Sequence, residues 1–463
     1  MNHDDPRDHP SVTERTEWGR SLRESSPRSC LAGWEPPAHR VDPVSILEAQ
    51  NTSRVPMLVP IRHQRMLVSP FTFYRGGAAV MASDLATTRV TGLTAQICGD
   101  AHLANFGLFG TPERALVFDL NDFDETHPGP WEWDVKRLAV SAVLMARDRG
   151  WDEAMQRELA RITASSYREK LAEFADMGRL EVWYSRMTDQ EVLAVAQGVK
   201  GQRVVEKQLA KARRNDVSRA VAKYTEVVDG KRTIIHQPPL VMRLSRTFTA
   251  DEAARIHQMS TELFGQYLET IPDHLQQLVS GYEPLDVAMK VVGVGSVGTR
   301  CLIALASGRD ENDLFLFQIK EADESVLAPY VDPVHYDNQG YRVVRGQHLM
   351  QAASDQFLGW AQVGGVDYYL RQFRDMKGSA DLTTMLPASA GPYLELCGWT
   401  LARAHARSGD RIALASYLGT GDRFDRAIVE FSMAYADQVE EDYALFRDAA
   451  ASGRIPTAPD PTV

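Results

Sequence analysis

Cysteine is scarce in this sequence, and its spacing carries no signature. The four cysteines, Cys30, Cys98, Cys301 and Cys397, are scattered and form no pair of the kind that binds zinc. The pattern therefore predicts neither a zinc site nor a disulfide framework.

Long apolar runs and an excess of basic residues are also missing. No run approaches the roughly 20 apolar residues that span a bilayer, and the amino terminus carries no apolar signal segment. The 51 Lys and Arg are outnumbered by 62 Asp and Glu, which gives a net charge of −11. General nucleic-acid binding is disfavoured because it depends on cations that neutralise phosphates. We expect a soluble, cytoplasmic protein without membrane contact.

Acidic and amide side chains follow two predicted strands. Residues 90–97 and 115–120 are short apolar runs typical of strands. Asp100 and Asn105 follow the first run, and Asp122 follows the second. Carboxylate and amide oxygens are the ligands that Mg²⁺ takes alongside substrate phosphates, so the stretch predicts phosphoryl transfer. The alternative interpretation is that Asp and Asn are simply common in turns.

The same stretch resembles the catalytic core of aminoglycoside- and choline-kinase-like phosphotransferases. The shared features are Gly-Asp-x-His-x-x-Asn at 99–105, Asp-Phe-Asp at 122–124 and a further Asp at 134. Those families usually have a His before the Gly-Asp pair, where this chain has Cys98.

This resemblance implies a role for each acidic position. Asp100 would be the catalytic base, Asn105 and Asp122 would bind Mg²⁺, and Asp134 would cap a supporting helix. A second metal ligand would be Asp119 or Asp124, and the sequence leaves that choice open.

A glycine-rich turn lies between two further predicted strands. Residues 287–292 and 299–306 are β-like, and the turn between them contains Gly293, Gly295, Ser296 and Gly298. A dinucleotide-binding fold, and with it a nicotinamide-dependent oxidoreductase, would need a helix directly after the last glycine. The strand-like pattern instead favours a kinase-type hairpin over the phosphates of ATP.

A third predicted strand, residues 314–319, ends at Lys320. In a kinase-type arrangement this lysine contacts the α- and β-phosphates of ATP; alternatively, it is a surface lysine at a strand end. Its acidic partner is left open between Glu324 and Asp355. Arg374, in the predicted hinge after residues 366–373, is a further nucleotide-binding candidate.

Two basic features have both a structural and a functional interpretation. Arg75 lies among aromatic residues, where arginines often stack, or it contacts a phosphate. The segment 200–214 is rich in Lys and Arg and is either a solvated helix face or a site for an anionic substrate.

The kinase-type elements occur in an unusual order, because the glycine-rich hairpin and the lysine follow the acidic loop. A circularly permuted chain would restore the usual arrangement, and it predicts that Ser408 and Thr91 lie close together. The combined motifs also resemble bacterial domain-of-unknown-function family 2252. That resemblance implies a kinase-like fold and no substrate.

We therefore predict an α+β, two-lobed, circularly permuted protein-kinase-like fold. Its parts are a disordered leader at 1–37, a large lobe at 38–285, a small nucleotide-binding lobe at 286–378, and returning helices at 379–463. The predicted function is an ATP- and Mg²⁺-dependent phosphotransferase acting on an unidentified hydroxyl acceptor. The alternatives are a kinase-fold AMP transferase with the nucleotide reversed and a catalytically silent nucleotide-binding regulator.

Overall fold

A computed structural model describes residues 10–196, 198–215, 217–247, 249–291, 293–373 and 376–459 of the chain. The fold class is α+β, with one larger sheet, three small ones and many helices. The helices are α1 (Val12–Ser25), α2 (Pro43–Gln50), α3 (Val59–Met66), α4 (Pro70–Gly76), α5 (Ala78–Leu85), α6 (Trp131–Asp148), α7 (Glu153–Asp176), α8 (Arg179–Tyr184), α9 (Asp189–Val195), α10 (Gly198–Arg214), α11 (Val217–Tyr224), α12 (Leu244–Thr247), α13 (Ala250–Thr270), α14 (Asp273–Val279), α15 (Gln339–Met350), α16 (Pro387–Ser408), α17 (Arg411–Leu418) and α18 (Arg423–Ala451). The strands are β1 (Thr94–Ile97), β2 (Phe106–Gly110), β3 (Leu116–Leu120), β4 (His127–Pro130), β5 (Met187–Thr188), β6 (Thr225–Val228), β7 (Lys231–Ile234), β8 (Val241–Arg243), β9 (Glu283–Lys290), β10 (Cys301–Ser307), β11 (Leu314–Glu321), β12 (Gly359–Val363) and β13 (Val366–Gln372).

Helix α6 is the centre of the helical part of the molecule. Every residue from 131 to 146 is buried, which is expected of a helix covered on all sides. It packs against α7 and α18, and α16 lies across α7. Trp131, at its first position, stacks on Tyr167 with ring centroids 5.5 Å apart. Four charged residues of α6, namely Glu132, Asp134, Lys136 and Arg137, are therefore buried too, and the partners of Asp134 and Arg137 shape the site described below.

The larger sheet has six antiparallel strands in the order β12-β13-β11-β10-β9-β8. Alternation along β11 sends Phe315, Phe317 and Ile319 into a core shared with α13 and α14. Leu316 points the other way, into a core with α11. Gln318 and Lys320, which alternate with the first set, lie on the inner face with Leu316.

The predicted disordered leader is wrong over residues 10–37. Ser11 and Glu14 form a capping box that begins α1, and α1 packs on α17. Arg15 donates two 2.7 Å hydrogen bonds to the carboxylate of Asp410. The prediction relied on the polar composition of this segment. A few widely spaced contacts, rather than an apolar stripe, attach the segment to the rest of the protein.

The predicted boundary at residue 286 lies too late in the chain. Strand β8 joins the edge of the six-stranded sheet, and α13 and α14 pack on its outer face. Strand β8 and the helices α13 and α14 therefore belong with the six-stranded sheet rather than with the helices packed around α6. The spacing of apolar residues in α13 and α14 indicates that each helix buries one face, but it does not show that this face packs on the sheet.

Two helices end at extended residues. The backbone is extended at Ala196, directly after α9. Helix α15 ends at Met350, where Gln351 is already extended.

The end of α16 lies next to the strand that precedes the acidic loop. The backbone N–H of Gln96 in β1 donates a 3.1 Å hydrogen bond to Ser408 Oγ. Ser408 is thus adjacent to β1, a strand that begins three residues after Thr91.

In the described part of the chain, no helix is both long enough and apolar enough to cross a membrane.

Substitution of Gly19 tests the packing of α1. Even a Cβ atom at this position would lie 2.2 Å from the carbonyl oxygen of Ala413, a backbone atom that cannot move aside cheaply. We expect Gly19→Leu to lower the free energy of unfolding by about 1–3 kcal/mol, the usual cost of overpacking. Denaturant titration followed by circular dichroism measures it. Glu17→Leu, which places the same side chain at an exposed position of α1, is the control, and equal stability of the two variants would contradict the described packing.

Candidate active site

The loop after β1 is fixed by a buried carboxylate. Gly99 has φ +76°, and a Cβ there would meet the carbonyl oxygen of Glu125 at 2.6 Å, so only glycine fits. Asp134 accepts hydrogen bonds from the backbone N–H groups of Cys98 (2.7 Å) and Gly99 (2.9 Å). His405 Nε2 lies 3.3 Å from the same carboxylate. The implied role of Asp134 as a helix cap is therefore wrong, because it orients the loop that carries Asp100.

Asp100 is held by a cation from α6. Arg137 Nε donates a 2.6 Å hydrogen bond to Asp100 Oδ1, and one-fifth of the Asp100 side chain is exposed. Burial raises the pKa of Asp100 above its ordinary value, although the charge of Arg137 opposes the shift. The carboxylate is thus more basic than a free Asp and has a fixed orientation.

Asn105 is anchored at both its backbone and its side chain. Its Nδ2 donates a 2.7 Å hydrogen bond to the carbonyl oxygen of Asp100, and its own carbonyl oxygen accepts from the N–H of Asn121 at 2.9 Å. The second contact continues the β2–β3 pairing, in which Phe106 faces Leu120. The two strand ends are therefore brought together, as the sequence predicted, and both Asn105 and Asp122 line the same cleft.

The Asp-Phe-Asp segment contacts the lysine of the six-stranded sheet. Lys320 Nζ lies 2.5 Å from Asp124 Oδ2 and 3.7 Å from Asp122 Oδ1. The hydroxyl of Tyr369 donates a 2.7 Å hydrogen bond to Asp124 Oδ1. The acidic partners of Lys320 are therefore Asp122 and Asp124, and neither Glu324 nor Asp355 is its counterpart.

Opposing effects set the protonation of this cluster. Burial alone would raise the pKa of Asp124, but the charge and hydrogen bond of Lys320 and the bond from Tyr369 outweigh it and lower the pKa to about 2. Burial and the neighbouring Asp124 raise the pKa of Asp122. Burial would lower the pKa of Lys320, but its two carboxylate partners raise it well above the ordinary value. At neutral pH the lysine is charged, and Asp124 is its main counter-ion.

Asp119 does not belong to the cleft, and its prediction as a metal ligand is wrong. Its side chain is buried, with Oδ1 2.5 Å from Arg403 and Oδ2 accepting a 2.9 Å hydrogen bond from the N–H of Ala352. Both oxygens are thus committed to structural partners. Side chains alternate between the two faces of a strand, so Asp119 points to the opposite face of β3 from its neighbours Phe118 and Leu120. This alternation was the signal in the sequence against Asp119 as a ligand.

The glycine-rich turn lies against the acidic segment and is followed by a strand. Ser296 Oγ donates a 3.1 Å hydrogen bond to Asp124 Oδ2. Arg65 donates to the carbonyl oxygen of Gly293 at 2.5 Å, and the N–H of Val55 donates to that of Gly298 at 2.7 Å. Because β10 starts at Cys301 and pairs with β9, the helix required by a nicotinamide site does not follow these glycines.

One cleft connects several of these groups, although Asp100 and Asp124 are not among the residues that line it. It has a volume of about 1280 Å³, and its wall includes Asn105, Asp122, Gly293, Ser296 and Lys320, together with Arg75. Gly295 lies close to this wall, because a Cβ atom at its position would be 3.2 Å from the carbonyl oxygen of Arg75. The predicted nucleotide contact Arg374 lies outside the described residues.

The donor set of the cleft suits a magnesium ion that is shared with phosphates. Among the described residues, no group of three or more His, Cys, Asp or Glu side chains is arranged to hold a metal by itself. Mg²⁺, however, is usually bound by one or two carboxylates plus substrate phosphates. Asp122, one-third exposed, and Asn105 offer such hard oxygen donors, whereas Asp124 is engaged by Lys320, Tyr369 and Ser296.

The sequence analysis did not identify three residues on the inner face of the sheet, namely Gln318, Tyr369 and Arg371. Tyr369 and Arg371 alternate along β13, and they face Lys320 and Gln318 of β11 in the register of the sheet. Arg371 Nε donates a 2.9 Å hydrogen bond to Gln318 Oε1. The period-two spacing of polar residues in these two strands was the signal that could have identified them.

These features define an α+β protein with a cleft lined by a lysine, acidic residues and a glycine-rich turn. The chain belongs to a family described as uncharacterized proteins conserved in bacteria, DUF2252, whose profile matches residues 54–449. No curated protein and no solved structure gives a significant match.

The loop residue Glu125 makes stability depend on pH. Burial raises its pKa to about 7, against the effect of a hydrogen bond from the N–H of Val326. The folded state therefore favours the protonated form, and this stabilisation is complete below pH 4.5 and lost as the pH rises through 7.

We expect Glu125→Gln to raise the melting temperature at pH 8 and to leave it nearly unchanged at pH 4.5, because the amide keeps the acceptor and removes the buried charge. Thermal unfolding across this range measures the difference. Glu324→Gln, at an exposed position nearby, is the control. A constant difference between Glu125→Gln and the wild type at all pH values would contradict the assignment.

Proposed function

We propose that this protein is an ATP- and Mg²⁺-dependent phosphotransferase of the kinase-like class, acting on a hydroxyl acceptor that is still to be identified. The observation that carries this proposal is the contact of Lys320 with Asp122 and Asp124 in a cleft shared with the glycine-rich turn. Phosphoryl transfer needs this combination, because its catalysis consists mainly of positioning and charge neutralisation.

The residues divide the work in a chemically consistent way. Asp100 receives the proton of the acceptor hydroxyl, and Arg137 fixes the orientation of its carboxylate. Asn105 and Asp122 would hold Mg²⁺, which neutralises charge on the transferred group when bound. Lys320 would exchange part of its contact with Asp124 for a phosphate oxygen, and Asp124 would keep the hydrogen bond from Tyr369.

The order of the elements is consistent with a circularly permuted kinase-like fold of two lobes. In the usual kinase-like order, the sheet with Lys320 and the helix α15 would come first, and α16 would follow them. Helix α16 ends beside β1, which leads to Asp100. A connection from Ser408 to β1 would restore the usual order. This adjacency supports the permutation as part of the proposal.

A second candidate, AMP transfer with the nucleotide reversed, is favoured by one feature. Two residues before Lys320 in β11, the cleft wall carries Gln318, which accepts a hydrogen bond from Arg371 of β13. Neither side chain is apolar. A purine ring prefers an apolar slot, whereas an amide and a guanidinium suit phosphates.

Two substitutions test the proposed chemistry. We expect Asp100→Ala and Asp122→Ala to reduce ATP turnover about 100-fold or more, since each removes a group that acts in the transition state. Release of label from ATP carrying either an α- or a γ-phosphate label measures both the rate and the group transferred. Asp337→Ala, at a fully exposed position, is the control. Equal turnover in the wild type and both site variants would refute the proposal.

A further inference from the structure

Arg75, on α4, is a cation of the cleft wall with an unused buried donor. Its side chain lines the cleft, and its Nε is buried without a hydrogen-bond partner among the described residues. The aromatic face beside it is taken by another arginine, because the guanidinium carbon of Arg137 lies 4.4 Å from the ring centroid of Tyr74. A buried donor without an acceptor costs free energy. A ligand oxygen would remove that cost.

Backbone contacts place Arg75 between the glycine-rich turn and the loop of Asp100. A Cβ atom at Gly295 would lie 3.2 Å from the carbonyl oxygen of Arg75, so α4 touches the turn. The carbonyl oxygen of the preceding residue, Tyr74, accepts a 3.0 Å hydrogen bond from Arg137, which also holds Asp100. Arg75 is therefore adjacent to both parts of the proposed active site.

Asp100 acts on Arg75 without saturating it. The Oδ1 atom of Asp100 accepts a hydrogen bond from Arg137, and Oδ2 lies 3.7 Å from His102 Nε2. Burial lowers the pKa of Arg75, the charge of Asp100 opposes this shift, and the like charge of Arg65 adds to it. Arg75 and Arg137 thus share one carboxylate, which leaves positive charge on this side of the cleft. Such a surface attracts an anion.

The part of the cleft near Lys320 has the reverse balance. Lys320 faces both Asp122 and Asp124, so one cation serves two carboxylates. A metal cation suits that part, in agreement with the proposed role of Asp122, whereas phosphoryl oxygens suit the side of Arg75. A phosphoryl group between the two would have a partner of opposite charge on each side.

We propose that Arg75 is a catalytic residue that binds the γ-phosphoryl group of ATP during its transfer. This inference rests on the proposed function. The acceptor oxygen forms a bond to the γ-phosphorus, the bond from this phosphorus to the β,γ-bridging oxygen breaks, and its electron pair leaves with ADP. The hydroxyl proton passes to Asp100. Arg75 donates hydrogen bonds to the equatorial oxygens, where charge accumulates, and keeps its own protons because a guanidinium stays charged.

Binding of a phosphoryl mimic tests this role. With ADP and Mg²⁺, fluoroaluminate takes the place of the transferred group, and we expect the wild type to bind ADP more tightly in its presence. Arg75→Met should lose about tenfold or more of this gain, while affinity for ADP and Mg²⁺ alone changes little, because Arg75 contacts only the transferred group. Isothermal titration calorimetry measures both affinities. Arg309→Met, which removes an exposed arginine in the β10–β11 turn, is the matched control.

Steady-state turnover separates charge from geometry. We expect Arg75→Met to lower kcat about 100-fold and to leave the KM for ATP nearly unchanged, because the contact strengthens in the transition state. Arg75→Lys keeps the charge but loses the paired donors, so it should recover part of kcat. If Arg75→Met fails to fold, as judged by circular dichroism, Arg75→Lys carries both comparisons.

The role of Arg75 is overturned if the wild type gains no affinity from fluoroaluminate, or if the Arg75 variants keep the full gain. An equal loss of affinity for ADP with and without fluoroaluminate would also overturn it, since that pattern indicates a structural role. ATP turnover that still depends on Asp100 and Asp122 would then leave the proposed function intact. Equal turnover in the wild type, Asp100→Ala and Asp122→Ala would instead remove the transferase, and this role with it.

Discussion

The contact between Lys320 and Asp124 joins the six-stranded sheet to the helical part of the protein. The two residues are 196 positions apart, and their charged atoms lie 2.5 Å from each other. A buried lysine needs a close counter-charge, because desolvation of an isolated ammonium costs several kcal/mol. The pair therefore helps to hold the sheet, the glycine-rich turn and the acidic loop together, along with contacts such as that of Ser296 with Asp124. In the proposed reaction the same pair would open when phosphates enter, since they would offer Lys320 an alternative partner.

The acids around the cleft are distinguished by their partners rather than by their type. Asp134 orients a loop, Asp119 is paired with Arg403, and Asp124 is paired with Lys320. Asp100 and Asp122 keep partial exposure and raised pKa values. Asp134 and Asp119 are buried, and Asp124 is engaged by Lys320, Tyr369 and Ser296, so these three acids are structural. Partial exposure together with a raised pKa makes Asp100 and Asp122 the candidates for chemistry.

Local sequence patterns predicted the strand ends, the glycine-rich turn and Lys320, because these depend on short-range periodicity and turn residues. They did not predict the leader helix, whose stability comes from Arg15 and from contact with α17. The partners of Lys320 and the contact between Arg371 and Gln318 were missed for a similar reason, since both depend on which elements become neighbours. Sheet order is a long-range property, and short motifs carry little information about it.

In the proposed reaction, Asn105, Asp122 and Lys320 together receive the phosphates of a nucleotide with a magnesium ion. A crystal structure with a non-hydrolysable ATP analogue and Mg²⁺ tests it most directly. We expect electron density for the metal between Asn105 and Asp122 and for a phosphate oxygen within hydrogen-bond distance of Lys320 Nζ. A nucleotide bound elsewhere, with the contact between Lys320 and Asp124 unchanged, would contradict it.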